Sequence, residues 1–297
     1  MVPDIHYIDE IENVFSEWVD WDYEIQQLAS GPLGFGRRVL ALGDVVLTWE
    51  WADKPMRVRL QLPGDAISVS LLLAGDRPAF WKGHELGADQ VLVFGATEHD
   101  YFIPPAFLAV NISTHRSAMA RFGLAALAGG LWDVPPAHLA RLQMQCAVAL
   151  RSSTGNHDLG TEILGALADL FQHANCRGER LRPSIRDETP RHRVLRLSED
   201  LGVQLDQGAP IVHLADTLSV STRTLHRTIK DLSGLSPKQY LDVLRLHRFR
   251  KDLLERGQSR TITSLAFDNG FEHVGRLSRF YQDWFGELPR ETRRRQV

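Results

Sequence analysis

Two clusters of basic residues recur at helical spacing near the C-terminal end of the sequence. At the helical step of about 100° per residue, Leu225, Ile229 and Leu232 of the stretch Ser221 to Leu232 fall on one stripe. Arg223, Arg227 and Lys230, flanked by Thr222 and His226, fall on the opposite stripe. In Glu272 to Phe285, Leu277, Phe280, Tyr281 and Trp284 share a face, while Glu272, Gly275, Arg276, Arg279 and Gln282 share the other. The chemistry this allows is recognition of a duplex: the major groove admits one helix, and a guanidinium pairs bidentately with the O6 and N7 acceptors of guanine. Gly275 costs a helix about 1 kcal/mol relative to Ala, yet on an exposed face it lets the backbone approach a base edge or phosphate. One amphipathic helix with a charged face would be ordinary surface. Two in tandem, each following a short helix and a tight turn, form the pattern of paired recognition helices.

Other chemistry is thin. Gly31, Gly34 and Gly36 are in the wrong order for a dinucleotide loop, and no Gly-x-Ser-x-Gly, P-loop or His-Glu-x-x-His pattern occurs. His84-Glu85 and Glu98-His99-Asp100 flank the apolar run Val91 to Phe94 and are imidazole and carboxylate types that could bind a metal in a cupin-like barrel. Their spacing does not reproduce the paired histidines of metal cupins, and they are expected in loops as polar surface. Trp49, Trp51, Phe80, Trp81, Phe94 and Phe102 could line a small-molecule pocket, although aromatics on strands are more often core. No catalytic residue, metal or cofactor is therefore expected, and the chain is not expected to be an enzyme. The competing reading is a metal-dependent cupin enzyme with a helical extension.

The elements that must position these residues follow from the pattern of apolar residues. At 297 residues the chain predicts two domains. A hydrophobic fraction of 43% and a charged fraction of 24% exclude disordered and collagen-like classes. From Gly36 to Ser113, strand-sized segments (Arg38 to Leu42, Val45 to Trp51, Val58 to Leu62, Ile67 to Leu73, Gln90 to Phe94, Leu108 to Ile112) alternate with turns such as Gly43-Asp44 and Pro63-Gly64-Asp65. That spacing predicts an antiparallel sandwich or small barrel. Beyond Pro135-Pro136 the period changes. Leu139, Leu142, Cys146 and Leu150, then Ile163, Leu164, Leu167, Leu170 and Phe171, predict two helices.

A charged, proline-containing linker is placed at 177–193, between a β-rich domain at 1–176 and a helical domain at 194–297. The latter reads as Pro210 to Leu218, Ser221 to Leu232, a long helix N-capped by Ser236 with Pro237 in its first turn and stopping at Gly257, then Thr261 to Asp268 and Glu272 to Phe285. Charge divides the same way. Residues 190–297 hold 19 Lys+Arg against 13 Asp+Glu, whereas residues 1–189 hold 15 against 24. A basic end on an acidic body suits a protein that meets a polyanion at one end only. Two distant cysteines, no apolar run of membrane-spanning length and an acidic start without a basic cluster predict a cytoplasmic, reduced location and no membrane.

Leu214, Ala215, Leu218, Val220, Ser221, Leu225, Arg227, Ile229, Gly234, Ser236-Pro237 and Tyr240 make up the first unit. Ile262, Leu265, Ala266, Gly270-Phe271, Ser278-Arg279, Phe285-Gly286, Pro289 and Arg293 make up the second. Together they resemble the DNA-binding domain of AraC/XylS-type transcription regulators over roughly residues 195–295. Thr292 stands where the family usually has Tyr, Ser219 where a turn Gly is common, and Gln282-Asp283 where lysines are common. The resemblance implies a mixed fold, with an N-terminal cupin-like antiparallel β domain carrying two helices and a C-terminal all-α tandem helix-turn-helix domain. It implies a sequence-specific transcription regulator whose DNA-binding residues are Thr222, Arg223, His226, Arg227, Lys230, Glu272, Val274, Gly275, Arg276 and Arg279. The expected partners are double-stranded promoter DNA, a second copy in a homodimer, RNA polymerase if the protein is an activator, and a small-molecule effector at the N-terminal domain. Dimerisation is expected through the apolar stripes of the helices at Pro136 to Leu150 and Asp158 to Ala174.

Overall fold

The computed structural model describes residues 6–8, 22–81, 84–97, 99–151, 157–176, 211–255 and 257–295. The expected linker at 177–193, the stretch up to Pro210 and Glu98 lie outside the described residues.

The N-terminal half is antiparallel throughout, as the alternation predicted. In chain order its strands are β1 (His6–Ile8), β2 (Asp22–Gln27), β3 (Phe35–Leu42), β4 (Val45–Ala52), β5 (Met56–Gln61), β6 (Ala66–Ala74), β7 (Phe80–Trp81), β8 (His84–Glu85), β9 (Gln90–Phe94), β10 (His99–Ile103), β11 (Phe107–His115), β12 (Gly130–Asp133) and β13 (Asn175–Cys176). They form a large sheet ordered β1-β3-β4-β11-β6-β9-β12-β13 and a small sheet ordered β2-β5-β10-β7-β8. Several of these, including β2, β10 and β12, were not expected. β2 is rich in polar residues (Asp-Tyr-Glu-Ile-Gln-Gln), and β10 and β12 hold apolar runs of only three and two residues, so no long apolar run announces them. His84 and His99 lie in strands rather than loops. His99 is buried, accepts a hydrogen bond from the Gly95 N–H at 3.1 Å, and stacks against Trp81 with an edge contact to Phe94. It is a core histidine; among the described residues no cluster of three metal-binding side chains occurs.

Each face of the large sheet has its own core, because side chains alternate with period two along a strand. On one face Leu47, Trp49, Val69, Leu71, Val110 and Ile112 pack under the helices α2 (Pro136–Arg151) and α3 (His157–Gln172), which follow the short α1 (Arg116–Ala120). Leu142 and Leu164 are fully buried there. The stripes expected to dimerise are therefore consumed within the chain: covering the open sheet face removes more apolar surface from water than a pair of helices alone could offer. Gly160 of α3 lies against β3, where an added Cβ would stand 2.0 Å from the Leu42 carbonyl oxygen. On the other face Phe35, Ala52, Leu92, Phe94, Phe107 and Ala109 meet Met56, Val58, Leu60 and Trp81 of the small sheet.

Between the two sheets lies a small cavity that opens to solvent at its mouth. Phe80 and Phe94 line it as expected, but the tryptophans do not. Trp49 and Trp51 alternate with Glu50, so when Glu50 points between the sheets they point away.

The C-terminal half is helical: α4 (Ile211–Thr217), α5 (Thr222–Ser233), α6 (Pro237–Leu254), α7 (Ile262–Asp268), α8 (Val274–Phe285) and α9 (Pro289–Arg294). Leu214, Leu225, Ile229, Leu246, Phe249, Leu265, Leu277 and Tyr281 share one core. Ser236 caps α6 through a complete capping box with Gln239, as expected, but α6 ends at Leu254, ahead of Gly257. Among the described residues no helix is long and apolar enough to cross a membrane.

Candidate nucleic-acid interface

The two helix-turn-helix units are built alike. In the first, the Val220 N–H donates to the Ala215 carbonyl and the Ser219 N–H to the Asp216 carbonyl; in the second, Phe271 donates to Ala266 and Gly270 to Phe267. This geometry places one residue of each turn at positive φ, Gly270 at 76° and Ser219 at 49°. Glycine takes that conformation without strain, whereas a serine there carries a penalty of about 1–2 kcal/mol. The serine is therefore tolerated by the packing on either side of it.

Each turn launches a longer helix. Ser221 caps α5 by accepting from the Thr224 N–H at 3.1 Å. The second launch differs from the expectation: α8 starts at Val274, its N-cap His273 makes no side-chain capping bond, and Glu272 lies just before the helix. Both helices stop at a glycine, Gly234 and Gly286.

The expected polar faces are open. Thr222, Arg223, His226, Arg227 and Lys230 are exposed on α5, as are Gly275, Arg276 and Arg279 on α8, with Glu272 exposed beside its start. A Cβ on Gly275 would meet nothing within 4 Å. Val274 differs, being half-buried against the helical core. Arg227 and Arg279 occupy equivalent places, each two residues after a buried leucine (Leu225, Leu277) and two before a buried side chain (Ile229, Tyr281). The opposite faces are buried, as their stripes required.

Thr292, where a Tyr is usual, belongs to the fold. It is fully buried and donates to Glu287 at 2.8 Å, and its hydroxyl lies 2.7 Å from that of Tyr281. Arg250 of α6 joins the same network, donating to the Tyr281 hydroxyl at 2.8 Å and to Glu287 at 2.5 Å. Burial pushes the Tyr281 phenol up to about 12, although Arg250 and the bond to Thr292 pull it back. The network ties α8 and α9 to α6 and so fixes the direction in which α8 projects its arginines.

The sequence reading missed the seam between the halves. The outer face of the small sheet and the β2–β3 loop pack on the helices, with Leu28, Phe80 and Phe102 joining the helical core. The Gln27 side chain donates to the Trp284 carbonyl at 3.0 Å, the Gly31 N–H donates to the Asp283 carbonyl at 2.9 Å, and the His247 Nε2 lies 3.0 Å from the Gln27 carbonyl. Tyr240 of α6 is buried where the charges of Arg57 and Asp100 act on its phenol. A second groove is lined from the β domain by Pro55, Pro78, Phe102 and Pro104 and from the end of α5 by Asp231, Leu232 and Ser233. The C-terminal ends of both recognition helices thus dock on the β domain, leaving their Arg-bearing N-terminal halves outward. No local signal marks these partners, which lie 220 to 257 residues apart for the Gln27 contacts.

Residues 214–295 match the family model described as "Helix-turn-helix domain". Over 104 residues, 35% of the chain, the sequence is 35% identical to the XylDLEGF operon transcriptional activator 3 of Pseudomonas putida, covering 30% of that protein. Over 80 residues, 27% of the chain, it is 40% identical to the HTH-type transcriptional activator RhaS of Escherichia fergusonii, covering 28% of that protein. The matched region therefore spans less than a third of these curated relatives. Among solved structures, a transcriptional regulator from Chromobacterium violaceum with an AraC-type DNA-binding domain aligns over 35% of this chain and 92% of its own, at 26% identity and a TM-score of 0.33. With its two matching turns and its two outward Arg-bearing helices, the region 214–295 forms a tandem helix-turn-helix unit that is similar in sequence to the C-terminal portions of these transcriptional activators.

Proposed function

We propose that the whole chain is a sequence-specific transcription regulator, organised as a β-rich domain at 1–176, a linker at 177–193 and a DNA-binding domain at 194–297. The observation that carries this reading is the pair of outward polar faces on α5 and α8, held by equivalent turns. Thr222, Arg223, His226, Arg227, Lys230, Glu272, Gly275, Arg276 and Arg279 meet successive turns of one major-groove face. Val274, half-buried, contributes the edge of its side chain. Phosphate neutralisation supplies most of the affinity, with steep salt dependence, and the few base contacts supply specificity.

The β domain is the regulatory half, and a small effector between its sheets modulates DNA binding. Phe80 supports the coupling, because it lines the inter-sheet cavity and also the groove that the end of α5 lines from the other side. An occupant that binds a DNA-competent and a DNA-incompetent state unequally shifts their populations. A homodimer would increase affinity for repeated half-sites. Its surface is the outward face of α2, where Met144 is 69% and Val148 51% exposed, rather than the buried stripes. The protein acts in the cytoplasm, without catalysis, and contacts RNA polymerase if it activates.

Footprinting of the full chain on DNA upstream of its own gene, with a salt titration, tests the DNA reading; absence of a protected site at low salt refutes it. Thermal shift of the full chain against a metabolite panel, followed by footprinting with each hit, tests the effector. Met144→Asp with Val148→Asp should move sedimenting dimer toward monomer, and an unchanged dimer refutes that surface.

A further inference from the structure

The walls of the inter-sheet cavity are mainly apolar, with Leu72, Leu92, Phe94 and Phe107 among them. Its polar groups are few: Glu50, Asn111, Ser70 and Tyr101. None of the lining residues is Arg, Lys or His, so an anion entering it finds no cation on the wall. Glu50 is the one carboxylate on that wall, and its side chain is only 9% exposed. One of its oxygens, Oε2, accepts from the Asn111 amide at 2.9 Å. The other, Oε1, is buried with no hydrogen-bond donor in reach; Arg37 Nε stands 3.7 Å away, too far to donate. An acceptor kept dry and unbonded costs free energy that a donating ligand would recover. Burial raises the Glu50 carboxyl above its ordinary range, against the pull of Arg37 and Asn111, which marks how little water reaches it.

We propose that this cavity takes a small molecule with an apolar body and one hydrogen-bond donor, an alcohol or an amine, whose donor meets Glu50 Oε1, and that it rejects carboxylates. The proposal rests on the reading of the β domain as an effector-binding domain. A site that hydrogen-bonds a ligand's donor discriminates strongly against analogues lacking it, because its own buried group is then left unpaired. At a pH where Glu50 is ionised, a carboxylate would in addition face its charge across a medium that screens poorly.

The test uses the full chain and three matched probes, 2-phenylethanol, 2-phenylethylamine and phenylacetate, measured by calorimetric titration. The alcohol or the amine should bind at least about tenfold tighter than the acid. Which of the two is tighter tells whether the donor is neutral or charged. Glu50→Gln keeps the volume and removes the charge; it should weaken the amine by about tenfold or more and narrow the gap to the acid. Leu72→Phe, which fills the cavity, should abolish binding of all three. Phenylacetate binding as tightly as the others overturns the ligand class while leaving the effector reading intact, as does a metabolite-panel hit of acidic chemistry. Probe binding that survives both substitutions overturns the site. If no probe binds, the class is overturned, and an empty metabolite panel then removes the effector reading as well.

Discussion

Replacing Arg227 or Arg279 with Ala separates a recognition helix from a merely basic surface. Both side chains are exposed, and among the described residues neither makes a hydrogen bond or ion pair with the rest of the chain. Their removal therefore takes nothing from the folded protein, and the unfolding free energy should stay within about 0.5 kcal/mol of the parent. The loss must then appear in the complex. A bidentate contact to a base contributes about 1–3 kcal/mol of discrimination, so specific-site affinity should fall by roughly 5- to 150-fold, with the preference relaxed at particular base pairs. Because Arg227 and Arg279 sit at equivalent places in the two units, the base pairs affected should differ and lie about one helical turn apart. Arg294, exposed in the last turn of α9, serves as the control. Its replacement by Ala should weaken every sequence alike and reduce the salt slope by about one. Fluorescence titrations on the footprinted site, on single mismatches within it and on unrelated DNA give all these quantities. Equal, sequence-independent losses for the three variants would reject α5 and α8 as base readers.

Three further outcomes follow from the packing and the titrating groups. Gly160→Ala, which in an open helix would stabilise by roughly 0.5–1 kcal/mol, should here destabilise the β domain by about 1–3 kcal/mol, since its methyl would collide with the Leu42 carbonyl; a raised melting temperature would show that α3 does not approach β3 so closely. Burial raises the Glu50 carboxyl, so the folded state holds a proton that an unfolded glutamate, with its ordinary value of 4.5, has released. Stability should fall as pH rises above about 4.5, and the melting temperature of Glu50→Gln relative to the parent should climb over the same rise; a flat difference would mean that Arg37 fully offsets burial. Burial pushes the Cys146 thiol up to about 12, whereas Cys176 is exposed, so a thiol reagent at neutral pH should label Cys176 and reach Cys146 only on unfolding; prompt labelling of both would contradict the packing of α2.

Local periodicity determined much of this protein. The stripes of Leu225 and Ile229, and of Leu277, Tyr281 and Trp284, dictated which face of each recognition helix is buried, and hence that Arg227 and Arg279 point outward. Strands such as Val45–Ala52 and Phe107–His115 were legible because their apolar residues are dense, whereas β2 and β10, polar on one face, were not. Asp100 of β10 is explained only in three dimensions, where it pairs with Arg57 of the neighbouring β5 beneath Tyr240 at the seam. The same holds for Glu50: its sequence neighbours Trp49 and Trp51 suggested an aromatic pocket, and only the pairing of β4 within the large sheet turned Trp49 under the helices and the carboxylate into the cavity. Periodicity reports which side of an element meets apolar surface. Which element supplies that surface depends on contacts between residues distant in sequence, and those exist only once the chain has folded.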